Sequence, residues 1–178
     1  MQISKQDQYD IFENALSWIV VFGMFIYGGA KGVQFANPNL VDKLISEMTE
    51  MELMWAFYGY SKPFALVIGA LEIIGGCLIL FKKTRLIGCI FTSTILINII
   101  LQDYFYGVHL GALKAALLYQ SIILLILWLN RQKVIAGVKQ LFLQPTIQSN
   151  KQLIIKLGLA FLLFIILRIG EYWITIKW

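Results

Sequence analysis

A carboxylate, a few ammonium groups and a few amides, set singly in long apolar runs, are the residues of this chain that could do chemistry together. Glu72 stands in GALEIIGG, Lys31 closes an apolar run after YGGA, Lys114 interrupts LGALKAAL, and Asn98 sits in ILINII. A carboxylate in an apolar wall can carry a proton to and from a bound molecule. It can equally pair with a neighbouring cation and do no more than fix how helices pack. Lys31 and Lys114 are the expected cationic partners of Glu72, with Asn98 supplying a hydrogen bond. Lys114 and Asn98 would orient a ligand's polar head, Trp55, Tyr58 and Tyr106 would line its entrance, and Tyr119 lies deeper on the same path.

Other chemistries are poorly provided for. His109 is the single histidine, which excludes a bis-histidine haem and argues against a multi-histidine metal centre, so no metal site is expected. No nucleophile motif, phosphate-binding glycine loop or dinucleotide fingerprint is present. Cys77 and Cys89 flank the basic turn KKTR at similar depth, so the two thiols could be neighbours. Buried cysteines on the cytoplasmic side are expected to stay reduced.

The elements that must position these residues follow from composition. Hydrophobic residues make up 59% of the 178, charged residues 14%, and the mean hydropathy is +0.74, whereas a soluble domain is about half apolar and about one quarter charged. The expected class is an all-α integral membrane protein forming a single helical domain over 1–178. The net charge of +5 is spread between apolar runs, which fits anionic lipid and membrane topology rather than nucleic acid. Apolar periodicity predicts spans at about 15–30, 64–81, 86–101, 108–129 and 153–173. The first run lacks a small-residue cleavage site and is expected to be retained.

Positive charge orients the spans. Lys82, Lys83 and Arg85 lie between the second and third, and Arg131, Lys133, Lys139 and Lys151 before the fifth, which predicts a cytoplasmic amino terminus and an outer carboxyl terminus. The connection from Lys31 to Pro63 is expected outside, with interfacial helices at about 39–60, a cap at Asn39 and a Thr49–Glu52 capping box. A basic amphipathic helix at 131–142 is expected on the cytoplasmic surface. In this arrangement Lys31, Glu72, Asn98, Lys114, Tyr119, Gln120, Arg168 and Glu171 share the outer half. Gly69 and Gly76 lie near the Glu72 face of their span and would let a neighbouring helix approach.

The stretch MWAFYGYSKPFALVIGALEIIGGCLILFKKTRLIGCIFTSTILINIILQDYFYGV resembles DoxX-like membrane proteins. The resemblance is carried by Phe57 to Ser61, Gly69 with Glu72, Gly75 and Gly76, the basic turn Lys82 to Arg85 with Gly88, and Asn98; Tyr27 to Lys31 is similar to the family's first-helix end. It implies a four-helix membrane core in a bacterial cytoplasmic membrane, with the fifth span an addition. The chain departs from the family's Tyr-Asp-Val-Pro-like outer loop, reading Tyr106, Gly107, Val108 and His109. The family includes subunits of thiosulfate:quinone oxidoreductase and assembly chaperones. The resemblance thus implies an accessory or small-molecule-binding subunit of a membrane redox system, taking quinone or lipid without a covalent cofactor and working with a membrane partner or as a homo-oligomer. The alternatives are a non-enzymatic assembly subunit and a small lipid-binding or transport protein. No residue of the chain carries electrons by itself, so turnover would need a bound cofactor or partner.

Overall fold

The computed structural model describes residues 4–35, 43–142 and 150–176. Among these, seven α-helices and one 3-10 turn account for the regular structure, without strands. They are α1 (Lys5–Gln34), the turn Ile45–Glu47, α2 (Glu50–Tyr60), α3 (Lys62–Leu80), α4 (Arg85–Tyr106), α5 (Leu110–Leu129), α6 (Arg131–Leu141) and α7 (Asn150–Ile176). Five of them, α1, α3, α4, α5 and α7, are long and apolar enough to cross a membrane. Their outward faces carry exposed large side chains such as Phe22, Leu66, Ile87, Leu118 and Phe161, a surface suited to lipid rather than water.

Local sequence explains the helix limits. α1 begins about ten residues before its apolar run, because Ser4 caps the Asp7 amide while the Asp7 carboxylate accepts from the Ser4 N–H and hydroxyl at 3.0 and 2.7 Å. The same device opens α2: Thr49 accepts from the Glu52 amide, and Glu52 accepts from the Thr49 N–H at 2.8 Å and from Lys43 at 2.7 Å. That box is the one the sequence predicts; the expected cap at Asn39 lies outside the described residues. Ser61 breaks the chain between α2 and α3, and Pro63 sits in the first turn of α3, where its missing N–H costs nothing. Gly107, at φ 63°, ends α4 in the left-handed conformation that favours glycine.

The chain divides into two compact units, 1–137 and 138–178. In the first, α1 packs chiefly on α3 and also on α5, α4 packs on α5 and α3, and α2 rests against α3. Val20, Met24, Ile79, Cys89, Leu96, Ile123 and Ile126 form its centre, each essentially shielded. The second unit is mostly α7, an apolar helix with an Arg168–Glu171 ion pair one turn apart at 2.5 Å.

At one end of the first unit, the basic turn meets the start of α1. Arg85 is buried, donating to the Glu13 carboxylate at 3.0 Å, to the Asn14 amide oxygen at 2.8 Å and to the Ile79 carbonyl at 3.1 Å. Lys82 pairs with Asp10 at 2.7 Å. Arg131 and Lys133, at the start of α6, lie within electrostatic reach of Tyr9 and Asp10. Both basic connections of this unit therefore gather at the same end. From sequence KKTR is a cytoplasmic basic turn; the structure adds that Arg85 is an internal clamp with three partners.

Candidate functional site

At the opposite end, α1 and α3 cross so closely that no side chain fits between them. A Cβ on Gly69 would sit 2.5 Å from the Gly28 carbonyl oxygen, and one on Gly28 would sit 2.6 Å from that of Gly69. One turn along each helix come Lys31 and Glu72, which flank this contact, Lys31 beside Gly69 and Glu72 beside Gly28. The expected pair is formed: Lys31 Nζ lies 3.5 Å from Glu72 Oε1, with the Glu72 side chain fully shielded and that of Lys31 11% exposed. The ammonium makes its hydrogen bond to Gln34 Oε1 at 3.1 Å and lies 5.4 Å from the centre of the Phe35 ring. Neither carboxylate oxygen of Glu72 has a hydrogen-bond partner among the described residues.

The pair opens into a cavity of about 560 Å³ lined by residues of α1 to α5. Met24, Ile68, Leu71, Leu96, Ile99 and Ala116 give it apolar walls. Its polar wall is a run of groups on α4. Tyr58 donates from α2 to Gln102 Oε1 at 2.8 Å, Gln102 donates to Asn98 Oδ1 at 2.6 Å, and Asp103 follows on the next position. Tyr27, Phe35, Trp55 and Tyr119 supply ring surface around these groups, with Phe35 stacked on Tyr58 at 5.1 Å and Tyr27 edge-on to Tyr119 at 6.3 Å. His109 lines the mouth and caps α5, its Nδ1 accepting from the Ala112 amide at 3.0 Å. The volume falls in the range of small-molecule sites, about 300–1,000 Å³.

Six of the eight sequence-selected residues, Lys31, Trp55, Tyr58, Glu72, Asn98 and Tyr119, line this one cavity. Two stand apart. Lys114 is exposed and does not line it, so it is not the second cation beside Glu72. Ala112, Ala116 and Tyr119 share the inward face of α5 at helical spacing, and a position two residues before Ala116 points to the other side. Tyr106, at the last position of α4 before the Gly107 turn, is 63% exposed. Asn98 bonds Gln102 rather than Glu72. Cys77 and Cys89 are free thiols, and no group of three His, Cys, Asp or Glu among the described residues could hold a metal ion.

Comparison with curated proteins finds 31% identity over 125 residues with the uncharacterized protein YwoB of Bacillus subtilis (strain 168), covering 68% of this chain and 78% of that protein. The chain belongs to the YwoB family. No family model matches it, and no solved structure does.

In this YwoB-family chain three cavity groups escaped the sequence pattern. Asp103 lies beyond the expected span end at 101, yet α4 continues through it and buries it to 7% exposure. Gln102 bridges two residues that were singled out, and its i, i+4 spacing from Asn98 was the available signal. Tyr27 figures in the sequence within the stretch similar to the DoxX-like first-helix end; its ring lines the cavity edge-on to Tyr119.

Proposed function

We propose that this protein is a DoxX-like membrane subunit that receives a small amphipathic molecule, of the quinone or lipid class, in the cavity between α1 and α5, as an accessory to a membrane redox system. The observation that carries the proposal is the cavity itself: a ligand-sized apolar space with a fully buried, hydrogen-bond-free carboxylate and its cation in the wall. Groups so costly to bury in a membrane commonly mark a binding or proton path. Glu72 would exchange a proton with the bound head, Lys31 would hold the charge, and Tyr58, Gln102 and Asn98 would orient it. The clustering of Lys82, Arg131 and Lys133 at the other end supports a cytoplasmic amino terminus, with the cavity toward the outer face.

The test is native mass spectrometry of the full chain after gentle extraction, paired with Glu72→Gln and Glu72→Ala. A small amphipath retained by the wild type and lost from both folded variants supports the proposal. A second polypeptide retained instead, and lost from the variants, favours an assembly subunit. Retention of neither, with all three proteins equally stable, sinks the binding role.

A further inference from the structure

The cavity wall has a chemical bias that narrows what it can hold. Three of its donors are engaged: Lys31 donates to Gln34, Tyr58 to Gln102, and Gln102 to Asn98. Among the described residues, the buried wall atoms without a hydrogen-bond partner are Glu72 Oε1, which faces Lys31 Nζ at 3.5 Å, Glu72 Oε2 and Asp103 Oδ2. All three are carboxylate oxygens, and both side chains are more than nine-tenths buried. Buried acceptors left unpaired are costly, so the missing component is a donor.

Formal charge points the same way. The cavity faces two carboxylates, Glu72 and Asp103, against one ammonium, Lys31, which lies within electrostatic reach of both. His109, at the rim, is already spent as an acceptor at the start of α5. The surrounding rings of Tyr27, Phe35, Trp55, Tyr58 and Tyr119 offer π faces, which attract cations. A head bearing only carbonyl oxygens would leave these carboxylate oxygens without a donor.

We infer that the cavity is built for a cationic, hydrogen-bond-donating head, an ammonium carried on an apolar body, in preference to an acceptor-only head. The inference rests on the cavity being the binding site and narrows its occupant, setting an amine-headed lipid above a quinone. A primary ammonium brings N–H donors to such a carboxylate oxygen, while Met24, Ile68, Leu71 and Ile99 cover its apolar part. Lys31 stays on Gln34 and Phe35, keeping Glu72 in place.

Two probes of matched tail test this on the full chain in nanodiscs: hexylammonium and hexyl-1,4-benzoquinone, by equilibrium dialysis, with empty discs subtracting partition into lipid. Hexylammonium is expected to be held roughly tenfold or more tighter than the benzoquinone, the equivalent of one hydrogen bond to a charged group. Asp103→Asn and Glu72→Gln should each shrink that preference to about threefold or less; if one fails to fold, the other carries the test. Benzoquinone held as tightly as the amine, or more so, overturns the head assignment while leaving the cavity a binding site. Neither probe held above empty discs overturns both.

Discussion

Arg85 offers the most direct test of the packing. Its side chain is 2% exposed and that of Glu13 6%, and the guanidinium has three partners between 2.8 and 3.1 Å. Arg85→Met keeps much of the volume and removes every donor, leaving the Glu13 carboxylate, the Asn14 amide and the Ile79 carbonyl in a dry end of the bundle. Breaking a buried pair from one side costs about 3–5 kcal/mol, because the abandoned charge stays behind. Glu13→Leu should cost a similar amount for the mirror reason. Replacing both charges removes the stranded group, so Arg85→Met with Glu13→Leu should cost much less than the sum, with a coupling of about 2 kcal/mol or more. The assay is reversible unfolding in mixed micelles titrated with a denaturing detergent, followed by circular dichroism. A loss below about 1 kcal/mol for Arg85→Met, or additive single losses, would refute the clamp.

Gly69→Val must part α1 from α3, because its Cβ would meet the Gly28 carbonyl at 2.5 Å; a loss of about 1–3 kcal/mol is expected. Gly29→Ala has no atom within 4 Å of the new methyl and should be neutral or gain up to about 1 kcal/mol from helix propensity; equal losses for the two would deny the close crossing. Hydrogen bonds from Lys43 and from Thr49 hold the Glu52 carboxyl down to about 2. A carboxyl lowered on folding supports α2 fully above the ordinary carboxylate range and gives that support up as pH falls through about 2. Hydrogen exchange of α2 amides should therefore quicken over that acidic window in the wild type, and a Glu52→Gln chain with the same pH profile would contradict the cap.

What could be read from sequence was whatever a helix states locally. Five apolar runs, the Thr49–Glu52 box and the pairing of Lys31 with Glu72 follow from periodicity, short-range capping and the expense of an unpaired charge. Depth along a helix was legible; rotation about its axis was not. Lys114 lies at a depth suited to Glu72 and faces away from it. The limits of α1 were hidden because hydropathy marks where the chain turns apolar, whereas Ser4 and Asp7 start the helix in polar sequence. Asp103 was missed for a related reason: a carboxylate near the end of an apolar run reads as loop until Gly107 shows where the turn is. The Arg85 clamp joins residues more than seventy positions apart, and no local rule couples them.

The two most deeply buried ion pairs of α1 have a joint consequence. Glu13 and Lys31 are eighteen residues apart, about five full turns, so they project from the same side about 27 Å from each other. Each meets its opposite: an arginine at one end, a glutamate at the other. Flip the helix end for end and acid would confront acid, base confront base; slide it one turn and both bonds part. The first segment carries a polarised key, able to seat in a single direction and at a single height.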